Sequence, residues 1–185
     1  MSFKVVRAVP ADAVEMAYTK LNAWKECFSE LLPTAFIEKE TEFEENYFTY
    51  QKLALQPGHM MFVIMFNNVM VGMFELKNNS EPDFNDEYCQ LDSLYFLPMY
   101  WNKGFGKRAF RYIKKIVKTR KYTKLYLWTF AKNTRTKYFF EICGFKADGH
   151  SRMVRVSPDA EVEQIRMVRD DLSVSETAFR NGGKA

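Results

Sequence analysis

Two glycines one residue apart, Gly104 and Gly106, sit between an apolar run that stops at Pro98 and a basic run that opens with Lys107 and Arg108. A strand that hands over to a helix through glycines leaves main-chain N–H groups unpaired at the positive end of the helix dipole, which makes an anion site. Lys103, Lys107 and Arg108 add charge-assisted donors beside it. Other reactive side chains are sparse. Cys27, Cys89 and Cys143 show no C-x-x-C spacing and lie in apolar segments, the pattern of buried free thiols. His59 and His150 have no ligand-spaced partners, so no metal site is expected.

The elements that must hold this junction follow from periodicity. FKVVRAV reads as a first strand, and Val14, Ala17, Leu21, Trp24, Phe28 and Leu31 mark a helix that Asp12 caps, with Glu15 reaching back, and that Pro33 ends. Ala35 to Leu55 reads as a second helical stretch. HMMFVIMF and VMVGMFEL, joined by Asn67 and Asn68, form a hairpin whose nearly continuous apolar runs imply cover on both faces. A polar loop from Lys77 to Glu87 leads to the strand YCQLDSLYFLP. After the glycines, Phe105, Ala109, Tyr112, Ile113, Ile116 and Val117 form the apolar stripe of a helix running to about Lys118. KLYLWTF is a further strand, and Asn133 to Ile142 is a short helix stopped by Gly144. Phe145–Val156 and Glu161–Arg169 make a closing hairpin.

With 185 residues, 47% of them hydrophobic and 16% aromatic, the chain can bury one core. A single domain over residues 1–172 is expected, followed by a loose tail over 173–185. Charges within the first twelve residues and the lack of a long apolar run argue against a secretory signal or a membrane span, so a cytoplasmic protein is expected. The net charge of +4 is unevenly placed. Ten of the 27 basic residues lie between Lys103 and Lys124 with no acidic residue among them, whereas Glu38 to Glu45 carries five glutamates.

GFGKRA nominally satisfies the G-x-G-x-x-[GA] dinucleotide fingerprint, but a hairpin precedes it and KTRKYTK stands where an acidic residue belongs. The order of elements fits another family. From about Phe3 to Leu172, the strand ending in LYFLP, the loop NKGFGKR, Asn133, FFEICGF and the closing EQIRMVR resemble the GCN5-related N-acetyltransferase (GNAT) superfamily. LNAWKECFSELLPTAFIEK is also similar to the AWRxxYxxLLPxxYL segment of one of its subgroups.

The resemblance implies an α/β fold, a mixed, mostly antiparallel sheet of about seven strands with about four helices, and acetyl-CoA as co-substrate. The loop pattern [QR]-x-x-G-x-[GA], which holds the pyrophosphate, falls on Trp101, Asn102, Lys103, Gly104, Phe105 and Gly106, with Lys107 adding charge. Leu94, Tyr95 and Phe96 would pair with the pantetheine arm, and Asn133 would touch it. The sequence departs from the family at Trp101, where Gln or Arg is usual, and at Phe140, where a tyrosine often protonates the departing thiolate. Tyr138, about 200° away round a helix, is a poor replacement.

Attack on a thioester needs a neutral amine, so a carboxylate near the central strand is the expected base. Asp92 is the first candidate and Glu75, in the facing hairpin strand, the second. The acceptor expected is a small-molecule or peptide amine, and the acidic stretch could attract a cationic one. Two other readings stand beside transfer. Phe140 suits an acyl-CoA sensor that transfers nothing, and the basic helix 103–124 suits a nucleic-acid face, although its charge has a simpler use near CoA. No nucleic-acid or membrane partner is expected, and the chain is expected as a monomer or homodimer.

Overall fold

The computed structural model describes residues 2–172, so the expected tail lies outside the described residues. Seven strands form one sheet: β1 (Phe3–Arg7), β2 (His59–Phe66), β3 (Val69–Asn78), β4 (Tyr88–Phe96), β5 (Lys124–Phe130), β6 (Lys146–Ser157) and β7 (Ala160–Arg169). Their spatial order is β1-β2-β3-β4-β5-β7-β6. Every neighbouring pair is antiparallel except β4 and β5. The expected mixed, mostly antiparallel sheet is therefore present.

Local chemistry explains the clearest elements. Asn67 and Asn68 take φ of 50° and 64°, the left-handed pair that a two-residue hairpin turn needs between β2 and β3. These strands are covered on both faces, which accounts for their unbroken apolar sequence. Met61, Val63 and Met73 pack with Met16, Ala17 and Tyr50 on one face. Phe62, Phe74 and Leu76 pack with Phe110, Ile113 and Val117 on the other. The first face belongs to α1 (Ala13–Phe28) and α3 (Phe43–Leu53), and the second to α4 (Phe105–Thr119).

Two expectations about helices are corrected. The stretch from Ala35 is two helices, α2 (Thr34–Glu40) and α3, rather than one, and with α5 (Thr134–Ile142) the described residues form five α-helices. The break is built by side chains: Thr41 Oγ1 donates back to Ile37 O at 2.7 Å, and the Glu42 carboxylate accepts from the amides of Glu44 and Glu45. In α1 the buried face is Ala13, Met16, Ala17 and Ala23, whereas Val14 is exposed. Asp12 accepts from Val9 N at 2.9 Å and makes no side-chain cap on α1.

The polar loop before β4 is tied down. Arg166, 2% exposed on β7, donates to both Asp83 oxygens, with Nη1 at 2.8 Å from Oδ1, and its Nε donates to Asp148 at 2.7 Å. Its guanidinium lies 4.1 Å over the Phe84 ring, which stacks on Tyr88. The same loop sends Glu81 to accept from Trp128 Nε1 at 2.9 Å.

Arg166 holds the Asp83 carboxyl below the usual aspartate range, chiefly through their hydrogen bonds. A carboxyl depressed in the fold contributes stability that is present above its unfolded pKa and is lost as pH falls through the folded value. Asp83→Asn is therefore expected to flatten the acid limb of the stability profile below about pH 4. Melting temperatures of both proteins between neutral and acid pH check this, and parallel curves would count against it.

Candidate active site

The parallel pairing of β4 with β5 covers only Tyr88–Lys124, Cys89–Leu125 and Gln90–Tyr126. Beyond Gln90 the two strands diverge, leaving main-chain groups on facing edges without a ladder. A bulge accompanies the divergence: Leu76 pairs with Leu91 and Glu75 with Ser93, so Asp92 is the extra residue. Such an insertion bends the strand and re-aims a side chain. The opening is a cavity of about 700 Å³ with β4 on one wall and β5 and α5 on the other.

At one end of the cavity lies the glycine loop. Gly104 takes φ of 79°, and a Cβ there would meet nothing within 4 Å, so the loop is open where a ligand would approach. Gly106 is required for a different reason: a Cβ would come within 2.8 Å of the Phe139 ring. Among the described residues, the amides of Asn102, Lys103, Gly104, Phe105, Gly106 and Lys107 donate to no protein acceptor. Asn102, Gly104, Gly106 and Lys107 line the cavity. Phe105 turns its ring into the core against Phe66 and Tyr100, so only its amide serves the loop.

Trp101 replaces the usual polar residue with a structural one. Its Nε1 donates to Phe96 O at 2.8 Å, pinning the loop to the end of β4, and the Arg135 guanidinium covers its ring at 4.2 Å. Arg135 also reaches Asn102 Oδ1 at 3.4 Å. Sequence reasoning missed Arg135, because nothing in the local pattern links it to a loop more than thirty residues away.

The two candidate carboxylates belong to one polar chain. Asp92 accepts from Gln90 Nε2 and pairs with Lys77 Nζ, each at 2.9 Å, and it lines the cavity. Glu75 sits 3.8 Å from the same ammonium, bonds His59 Nδ1 at 2.5 Å, and is 4% exposed. Burial pushes its carboxyl up, opposed by the His59 bond and reinforced by the nearby Asp92 charge. Glu75 is not part of the cavity wall, so the structure brings Asp92 to the opening and leaves Glu75 behind it.

Leu94, Tyr95 and Phe96 lie along the unpaired edge of β4, with the buried Tyr95 hydroxyl pushed to a higher pKa. Asn133 caps α5 by accepting from Thr136 N at 3.1 Å and donates to Cys27 Sγ at 3.3 Å. Phe140 is 7% exposed and packs edge-on against Phe139 and Phe145. Tyr138 also borders the cavity, largely exposed. None of the glutamates from Glu38 to Glu45 reaches it.

Trp24, Cys27 and Phe28 from α1, Trp128 from β5, and Arg152 and Gln164 from the closing hairpin also line the cavity. Cys27 is half-buried rather than buried, and burial raises its thiol pKa. Arg152 and Gln164 face each other across β6 and β7, a register that a single strand's pattern does not specify.

These features fit an acyl-CoA ligand: free amides for a diphosphate, a bare strand edge for an amide-bearing arm, and a carboxylate on the same strand. Among the described residues no group of three His, Cys, Asp or Glu side chains is placed to hold a metal ion, and no helix is long and apolar enough to cross a membrane.

Known proteins with the same architecture were found by structure. The PaiA N-acetyltransferase from Thermoplasma acidophilum, solved in complex with coenzyme A, matches with a TM-score of 0.75 and 17% identity over 92% of this chain and 99% of its own. The ribosomal-protein-S18-alanine N-acetyltransferase from Escherichia coli matches with 0.67 and 14% over 99% and 100%. An N-acetyltransferase from Staphylococcus aureus Mu50 gives 0.71 and 14% over 93% and 99%. No curated protein sequence matches the chain. The model of the acetyltransferase (GNAT) family matches residues 21–145, two thirds of the sequence. A splayed β4–β5 pair, a glycine loop of free amides and this family match together make the chain a member of the GNAT acetyltransferase family.

Proposed function

We propose that this acyl-CoA-dependent N-acetyltransferase works by direct attack of an amine, with Asp92 as the proton acceptor and the loop 101–107 as the diphosphate cradle. The observation that carries the reading is the bulge: it puts the Asp92 carboxylate into the opening at the point where β4 leaves β5. When bound, acetyl-CoA supplies the acyl carbon to which the amine adds and from which the thiolate leaves. The chain's own residues do the rest. Lys77 and Gln90 fix the orientation of the carboxylate, which takes the amine's proton. The amides of 102–107 bind phosphate oxygens, and Lys107 adds charge. Phe140 has no hydroxyl to give, so solvent protonates the departing thiolate.

The proposal extends to one domain over residues 1–172, a cytoplasmic location, and a small-molecule or peptide amine as acceptor. Its test has two steps. CoA at a hundred times its dissociation constant is expected to stabilise the protein by about 2.7 kcal/mol, with NAD giving no shift. Acetyl-CoA with a panel of amines is then expected to release free thiol. A thermal shift without thiol release from any amine would instead support an acyl-CoA-binding module, the reading that Phe140 favours.

A further inference from the structure

The end of the cavity away from the glycine loop is not neutral. Its wall carries Arg152, whose guanidinium lies 4.3 Å over the Trp128 ring and whose Nε donates to Gln164 Oε1 at 2.9 Å. Trp128 is itself fixed by its bond to Glu81 in the loop that Arg166 holds. A guanidinium held over a braced indole is pre-organised, and its two terminal nitrogens keep their donors. Among the described residues Arg152 makes no ion pair with a carboxylate. The other basic side chains of the wall, Lys107 and Arg135, stand at the glycine loop and serve that end.

We propose that the acceptor is a small molecule bearing both an amine and a carboxylate, with the carboxylate received by Arg152 and the amine presented to Asp92. The cavity wall thus carries the Asp92 carboxylate, with Lys77 as its partner, and the Arg152 guanidinium, which has no carboxylate, so a zwitterion can meet both ends. A bidentate carboxylate–guanidinium contact is the specific recognition an unpaired fork offers. A plain diamine leaves Arg152 facing a second cation, which costs affinity. Gln164 holds the fork in place and is a positioning residue.

The inference rests on the acetyltransferase reading for its location, and binding tests it separately from turnover. The CoA-saturated protein is titrated calorimetrically with matched pairs: phenylalanine against phenethylamine, tyrosine against tyramine, and lysine against cadaverine. At least one carboxylated member is expected to bind tenfold or more tighter than its decarboxylated partner. Arg152→Gln is expected to remove that preference while leaving CoA affinity unchanged, and Arg152→Lys to restore part of it. Equal binding within every pair, binding by no carboxylated member, or a preference that survives Arg152→Gln overturns the proposal. A carboxylated amine that binds through Arg152 without thiol release contradicts acetyl transfer and leaves the recognition standing.

Discussion

Asp92→Asn is expected to lower kcat/KM for acetyl transfer by about 10²- to 10⁴-fold, the range lost when a positioned proton acceptor is removed. Asparagine is nearly isosteric and can still accept from Lys77 and Gln90, which hold the carboxylate at 2.9 Å each. The capacity to take a proton is lost, together with the negative charge beside Lys77. The free amides of the glycine loop and the bare edge of β4 are untouched, so the thermal shift given by CoA should remain that of the parent protein. Initial rates with the best amine of the panel, beside melting curves with and without CoA, separate the two effects. A rate within threefold of the parent would make Asp92 a structural bulge residue and return attention to Glu75, whose carboxyl lies 3.8 Å from the same lysine.

Arg166→Met is expected to destabilise the fold by about 3 kcal/mol. The guanidinium is 2% exposed and answers Asp83 and Asp148, with Glu81 at 3.7 Å and the Phe84 ring at 4.1 Å. Methionine fills much of the volume but leaves three carboxylates without the guanidinium, with only the His150 ring, 3.4 Å from Asp148 and 3.9 Å from Asp83, beside them. Asp83 and Asp148 retain contact with water, which places the cost toward the lower end of what a broken buried pair shows. For a chain of this size the melting temperature should fall by about 6–12 °C. Denaturant titration gives the free energy directly, and a midpoint unchanged from the parent would show that the charges had compensated elsewhere.

The features legible in the sequence were those written within a few residues. Asn67 and Asn68 specify a turn because positive φ is a property of the residue and its neighbour. The α4 junction was equally readable, since Pro98, Gly104 and the basic helix follow one another in order. The break between α2 and α3 was missed because helical periodicity runs across it, and Glu42 declares itself as a cap only through where its carboxylate points. Arg166 could not be read as a clamp: its partner Asp83 lies 83 residues away, and the sequence shows only an arginine in an alternating strand. Asp92 was found by position on the strand, but the bulge that turns it into the cavity depends on the register against β3. Arg152 likewise acquires its place only when β6 and β7 pair.

The three-pair contact between β4 and β5 makes the sheet behave like a clothes peg. One jaw is β1 to β4, the other is β5 to β7, and the pivot is the short ladder from Tyr88 to Gln90. Arg166 acts as the spring beside that pivot, because it belongs to one jaw and grips a loop of the other. The closed side of the cleft is thus held by groups that never meet a ligand.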